Sequence, residues 1–553
     1  MANISSRALR LNRNRNFLAA EAEIADDLPS ALIDEWREQL VKYQNYWQWM
    51  DGQVWETVDM HAGVQAGKAP PLLFPVQLNP IYTAAIIHRN TLFGEVPDTG
   101  VPLMKPRAIP KTRGAGNREA AKENALFATD IIDQILYQSN SRSTMMDAGF
   151  VSQALGGSVF KVAYEPWNKN LAPGVPIAIR QIEPEYFLPI YSSIDRWHLL
   201  EARIGRMIDR YEAKERYGVV TQRDRVLYME AWKPNTVSIT VDGEPAVMKM
   251  GDVDIEMSGT HGWGLVPLVY IPHEQVGQFY GVPIVHELAN LLKEYNGRVA
   301  DVGDAVRNSI ERLIILTNAD PGELKIKNLG SGIKVIATGR EMAGTAGKKI
   351  DLVGSVDLPT GTNEYIDFLK KEVWHALFTP AVAYGEDEGS QRSALTLAFR
   401  MWPLTAHIRS ERSLWTEGWR VLCDYALRIL RAKQVGDYGD LTEGTPWKVE
   451  DKHLGHMLTM DWAPMIPRDR ESEINQLILR HQDGVISTEG VMEKSGDIQD
   501  IVDELARVKN DKEEALKLEA KYTVSTTPSS TSTKKTKPAK SDTQPATAKV
   551  ETD

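Results

Sequence analysis

Apolar residues recur every three to four positions over residues 31–61 and again over 118–155, so both spans read as amphipathic helices. In the second span Leu126, Phe127, Ile131, Ile132, Ile135 and Leu136 share one side. Gly156-Gly157 stops that pattern, and SVFKVAYEP changes to the two-residue alternation of a strand. β character then dominates to about residue 280. Its plainest instance is VSITVDGEPAVMKM at 237–250, where alternating runs flank Asp242-Gly243, a strong hairpin signal. The first half of the chain is expected to be α+β.

After Pro283, a good first helical residue, a proline-free segment to Thr317 is expected to form one helix about 45 Å long at 1.5 Å per residue. Ile284, Leu288, Leu291, Tyr295, Val299, Val302, Val306, Ile310 and Leu313 make one apolar stripe, which a core helix of a large domain explains equally well. Gly297 and Gly303 each weaken this helix by up to about 1 kcal/mol, so neighbouring helices must support it. Residues 318–360 differ. They are Gly-rich with short β-like runs (IKVIA, KIDLV), and Lys325, Lys327, Lys334, Arg340, Lys348 and Lys349 concentrate there with only Glu341 opposing them in the middle. A second amphipathic helix over 363–379 places Tyr365, Ile366, Leu369, Val373, Ala376 and Leu377 on one face and stops at Pro380.

The stretch YGEDEGSQRSA follows: Gly385, Glu386, Asp387, Glu388, Gly389, Ser390, Gln391 and Arg392 form a connection longer and more polar than two helices need. A helical pattern over 394–431 is expected to bend or break at Pro403, and 468–520 reads as charged helix. From Thr523 to Asp553 Thr, Ser, Pro, Lys and Ala prevail without apolar periodicity, so this tail is expected to be disordered. No internal repeat is visible.

Composition narrows the function classes. A chain of 553 residues exceeds one compact core, so several structural regions are expected. A net charge of −11 opposes tight global binding to nucleic acid, whose affinity comes mainly from Lys and Arg on phosphates. Cys423, the single cysteine, cannot form an intrachain disulfide and argues for a reducing place of synthesis. No apolar run approaches the 18 or so residues of a membrane span. The Arg- and Ser-rich start MANISSRALRLNRNRN shares the bias of an organellar transit peptide, which a flexible basic arm explains equally well.

Catalytic patterns fail in turn. AGTAGKK at 343–349 has Met342 where a Walker loop needs glycine and Lys349 where it needs Ser or Thr. His273-Glu274 and His286-Glu287 begin a zinc-hydrolase pattern that Gly277 and Asn290 leave incomplete. His453 and His456 lack further ligands nearby in sequence and read as surface or capping residues. No catalytic residue, metal or cofactor is expected, and a non-enzymatic assembly or binding role is favoured.

Three segments carry a resemblance: ALGGSVFKVAYEP (154–166) with IRQIEPEYFLPIY (179–191); GWGLVPLVYIPHEQVGQFYGVPIVHELANLLKEYN (262–296); and DWAPMIPRDRESEINQLILRHQDGVISTEGVME (461–493). Together with the order helix, basic module, helix, polar loop, kinked helix, they make the chain resemble the portal proteins of tailed bacteriophages, in particular siphophage-type head-to-tail connectors, over roughly residues 30–520. The resemblance implies a ring of about twelve copies at one capsid vertex, through which double-stranded DNA is packaged and ejected. The implied fold is α+β, with a wing (1–280 and 395–467), stem helices (281–317 and 361–380), a clip (318–360), a tunnel loop (381–394) and a crown (468–522). Implied partners are further copies of the chain, the terminase large subunit, major capsid and scaffolding proteins and a head-tail adaptor. Assembly in the host cytoplasm, a place in the virion and no membrane partner are also implied.

In that frame the carboxylates of Glu386, Asp387 and Glu388 keep the duplex centred. DNA carries one charge per roughly 1.7 Å of axis, so a ring of lysines would hold it. One pair of like charges at about 4 Å in water is worth only about 1 kcal/mol within a screening length of about 8 Å, but a ring repeats the term. Gly385 and Gly389 let the loop flex, and Ser390, Gln391 and Arg392 allow brief phosphate contacts. Without the resemblance a solvated surface loop is the simpler reading. The six clip cations are expected to contact the packaging motor or entering DNA, or else to balance a subunit interface. Trp402, Trp415 and Trp419 are expected to anchor the kinked helix between neighbouring subunits. The competing functions are a terminase-like packaging ATPase or nuclease and a non-conducting adaptor ring.

Overall fold

The computed structural model describes residues 28–52, 78–94, 104–110, 118–250, 253–277, 279–286, 288–310, 313–317, 334–338, 349–353, 361–386, 394–435, 447–465, 470–495 and 501–523. These divide into two units, one up to residue 467 and one from 468. The first described helices are α1 (Ser30–Met50) and α2 (Pro80–Phe93). The Asn79 side chain accepts the Tyr82 amide and Pro80 takes the first helical position, which together fix the start of α2. Strand β1 (Met104–Ile109) alternates buried and exposed residues. The helical pattern over 118–155 proves to be two helices, α3 (Arg118–Gln138) and α4 (Ser141–Leu155), separated at Asn140, whose φ of 51° is left-handed. Leu126, counted in the sequence stripe, points outward.

Gly156 ends α4 at φ 87°, and a side chain there would collide with the Gly281 carbonyl, so the expected stop is also a close backbone approach. β2 (Gly157–Tyr164) and β3 (Ile177–Ile182) follow, then β4 (Phe187–Ile190), β5 (Glu201–Asp209), the short helix α5 (Arg210–Tyr217), β6 (Arg225–Trp232) and β7 (Thr236–Val241). Asp242 (φ 54°) and Gly243 (φ 85°) turn the chain after β7, the two left-handed residues that the Asp-Gly pair implies. β8 (Val247–Met250) pairs with β9 (Val253–Glu256), and β10 (Leu268–Pro272) completes the region. Strands β4 to β7 form an antiparallel meander, whereas β2 lies between β10 and β3 in a separate three-stranded sheet.

Helix α6 (Ala289–Ile310) is shorter than the stripe suggests. At its start, the Ile284 amide donates to the Gln153 carbonyl instead of entering a helix. At its end, Leu313–Thr317 is not helix but β11, between β12 (Lys334–Thr338, parallel) and β13 (Lys349–Val353, antiparallel). LIILT is an unbroken apolar run, which suits the centre of a small sheet better than one face of a helix. Helix α7 (Thr362–Ala376) packs on α6.

The kinked pattern resolves into α8 (Ala394–Arg400) and α9 (Trp402–Val435), interrupted at Met401, and β14 (Met457–Trp462) returns to pair with β1. Pro403 supplies no amide for the Phe399 carbonyl, which accounts for the break where the sequence places it. Trp415 and Trp419 are fully buried within the chain's own core against Phe93 and Phe160, whereas Trp402 is 54% exposed. The expected row of three anchors between subunits is therefore corrected. Two of them close the monomer's core, because Trp415 and Trp419 pack on Phe160 of β2, and only Trp402 faces out.

The second unit holds α10 (Arg470–Gln482), α11 (Thr488–Ser495) and α12 (Ile501–Thr523). The tail after 523 lies outside the described residues. Among the described residues no helix is long and apolar enough to cross a membrane.

Candidate functional site

The polar stretch is approached through the end of α7, anchored in the core by Val373 and Leu377. The Phe378 amide donates to His375 O (3.0 Å) and the Thr379 amide to Trp374 O (3.1 Å), the crossed pair of bonds that closes a helix through one left-handed residue. That residue is ordinarily glycine. Here it is Phe378 at φ 51°, a conformation costing roughly 1–2 kcal/mol for an L-residue. Pro380 then prevents the helix from resuming.

A single 3-10 turn over Ala381–Tyr384 ends in the same way, with Gly385 N–H on Val382 O, Glu386 N–H on Ala381 O, and Gly385 at φ 80°. Here the left-handed position does hold glycine. The first acid of the stretch is not free: Glu386 Oε1 accepts from Lys370 Nζ at 2.8 Å. Lys370 lies 4.5 Å from the centre of the Trp374 ring, and Trp374 stacks on Tyr384 at 5.3 Å. Lys370, Trp374 and Tyr384 thus dock the start of the stretch on α7. Of the sequence-predicted loop residues, Gly385 and Glu386 are placed, while Asp387, Glu388, Gly389, Ser390, Gln391 and Arg392 lie outside the described residues.

Of the six cations in the basic module, Lys325, Lys327, Arg340 and Lys348 lie outside the described residues. Lys334 opens β12 opposite Leu313, and Lys349 opens β13 opposite Thr317. The register puts them at opposite ends of β11, about 13 Å apart along the strand and on its two sides. These two positions are not brought together.

Behind the α7 end lies a polar cluster that sequence reasoning missed. His88 of α2, His273 after β10 and His407 of α9 approach ring to ring, with His407 at 5.5 Å from His88 and 5.7 Å from His273. Phe378 stacks on His407 at 4.8 Å, nearly parallel. Thr379 Oγ1 donates to Leu377 O, so it accepts from His88 Nε2 at 2.9 Å. His273 Nδ1 donates to Val282 O, which leaves its Nε2 a bare acceptor 3.9 Å from Glu411 Oε2.

Gln153 Nε2 donates to both Glu411 oxygens at 2.9 Å. The His273–Glu411 spacing would suit an ion pair, but burial drives both groups to neutral forms. It lifts Glu411 to about 8 and lowers His273 to about 4. Burial lowers His88 and His407 as well. The contact is best described as a carboxylic acid facing a neutral imidazole. The available signal was the placement of His407 and Glu411 on the apolar face of α9, among Leu404, Ile408 and Trp415.

Among the described residues no group of three or more His, Cys, Asp or Glu is placed to hold a metal ion. Of the surface and capping roles expected for His453, the structure gives it the second: it is buried, and its Nδ1 accepts the Glu450 amide at 3.0 Å.

In comparison with known families, the model for "Phage portal protein, SPP1 Gp6-like" matches residues 154–518, about two thirds of the chain, from the end of α4 into α12. No curated protein matches the sequence.

Proposed function

Because the chain belongs to the phage portal protein family of the SPP1 Gp6-like type, we propose that it forms the ring-shaped channel at one capsid vertex through which double-stranded DNA enters and leaves. The observation that carries this reading is the order of elements inside the matched range. Among the described residues, helix α6, a three-stranded module, helix α7, a two-step turn into an acidic stretch, and the broken helix α8–α9 follow one another in that order. In this reading α6 and α7 belong to the stem, β11–β13 to the clip, residues up to 280 with α8, α9 and β14 to the wing, and α10–α12 to the crown.

The polar stretch 385–392 faces the channel. Its first carboxylate, Glu386, anchors the loop through Lys370, so repulsion of the DNA phosphates falls on Asp387 and Glu388, repeated in every copy. Lys325, Lys327, Lys334, Arg340, Lys348 and Lys349 serve contacts with the terminase motor and later with the head-tail adaptor. Lys334 and Lys349 act there as separate points, given their spacing across β11. The channel performs no chemistry of its own, in keeping with the missing nucleotide motif.

Negative-stain microscopy of the purified chain tests this reading. Rings with rotational symmetry are expected, together with no ATP hydrolysis. A chain that stays monomeric at all concentrations would contradict the channel, and ATP turnover by the isolated protein would favour a packaging enzyme instead.

A further inference from the structure

The end of α7 does two things at once: it leads into the polar stretch, and it closes over His88 and His407, with His273 behind them. His88 and His273 each have a hydrogen-bond partner at one ring nitrogen and none at the other. His88 donates from Nε2 to Thr379 while its Nδ1 has no partner, and His273 donates from Nδ1 to Val282 O while its Nε2 has none. A protonated ring needs acceptors at both nitrogens. With His407 within 6 Å of both other rings, a second charge would also meet repulsion.

The titratable and charged groups that face the cluster come from few elements. The turn after β10 supplies Glu274, and α9 supplies Glu411 and Arg412. Arg412 is occupied by the Leu92 and Thr91 carbonyls of α2 (2.7 and 3.1 Å). Helix α4 supplies the neutral Gln153, and α7 supplies Phe378 and Thr379, neither of which titrates. His375, in the last turn of α7, is exposed beside Glu372. Closure itself holds Phe378 in a backbone conformation unfavourable for an L-residue, so the closed position persists only while its stack, the Thr379 bond and the two helix-closing bonds hold it.

We propose that Phe378–Pro380, hinged on the buried Leu377, is an acid-released lid: it stays shut over neutral His88 and His407, with His273 behind them, and proton uptake by the exposed rings favours its opening. Opening lets Phe378 leave its left-handed conformation and detaches the root of the polar stretch from the wing core. The sign follows from linkage. The closed-state pKa values of the histidines are depressed by burial, so closure is fully favoured above the ordinary value near 6.5 and weakens as pH falls below it. Each histidine exposed by opening favours the open form by up to about tenfold per pH unit below that value, until its own closed-state value is reached. Glu411 works in the opposite sense, but it is buried and both its oxygens are held by Gln153 of α4 and not by the lid, so it stays covered when the lid lifts.

The lid rests on packing within one chain, and only its effect on the channel rests on the function proposed above. Hydrogen exchange on the full-length protein, corrected for intrinsic rates and run from pH 7.5 to 5.0 without DNA, tests it. The Phe378 and Thr379 amides are expected to exchange with an opening constant that rises about tenfold or more per pH unit below about 6.5, while amides of β2 and β3 stay protected. In His407→Phe, which keeps the stack, and in His88→Asn, which keeps a donor for Thr379, the slope is expected to fall. A flat profile in the wild type, an unchanged slope in both variants, or parallel opening of β2 and β3 would overturn the lid. A flat profile leaves the channel reading standing. Conversely, a lid that opens in a protein that forms no rings leaves the lid and removes the channel.

Discussion

Glu411→Gln gives the sharpest test of the buried cluster. The carboxyl is moved by burial from 4.5 to about 8, and Gln153, Arg412 and the Trp415 indole offset only part of that cost. A raised carboxyl value means that the folded state binds the proton more tightly than the unfolded one. This contribution to stability is complete below pH 4.5 and is lost as pH rises through 8. At about 1.4 kcal/mol per pKa unit the span corresponds to roughly 5 kcal/mol, an upper bound because the site can relax and admit water.

Glutamine reproduces the neutral acid: its oxygen accepts from Gln153 and its NH2 faces the bare His273 Nε2. Urea denaturation at pH 5, 7 and 9 should therefore show wild type and variant alike at pH 5. The variant should be more stable by several kcal/mol at pH 9. A variant that is less stable at pH 9 would refute the reasoning, since it would mean that Glu411 is ionised and paired with a protonated His273 across the 3.9 Å between them.

Other consequences are as direct. Trp419→Ala should cost about 3–5 kcal/mol, read as a lowered urea midpoint, because the side chain is fully buried in the main core; Trp402→Ala should change monomer stability by less than about 0.5 kcal/mol. Lys370→Met should leave the urea midpoint nearly unchanged, since the ion pair is exposed, yet speed exchange of the Gly385 and Glu386 amides by releasing Glu386. Replacing Glu386, Asp387 and Glu388 together by lysine should leave rings intact and impair packaging, and packaged genomes of unchanged length would contradict a channel-facing role.

Much of this architecture was legible because local signals and tertiary structure agree. Gly156 stops α4, Asp242-Gly243 makes the turn its sequence implies, and Pro403 breaks the kinked helix. The misreadings share a cause, since periodicity describes apolar spacing and not the partner that covers it. LIILT fits the end of a helical stripe, yet β12 and β13 recruit it into a sheet. Trp415 and Trp419 read as anchors between neighbouring copies, whereas Phe93 and Phe160 of the same chain enclose them.

At the candidate site the sequence reads Gly385 as a point of flexibility, whereas the structure holds it at φ 80° to close the 3-10 turn; nothing local favours the left-handed Phe378, which the two helix-closing bonds, the His407 stack and the Thr379 bond sustain. Likewise, Glu386 looks like one of three equal charges in sequence. Lys370, sixteen residues earlier and brought alongside by the turn at Pro380, distinguishes it.

A cryo-electron microscopy map of the assembled protein tests the central claim most directly. It should show copies related by rotation around an open axis, with residues 385–392 lining the narrowest part of the hole. A map in which that segment points away from any symmetry axis into bulk solvent would contradict the account.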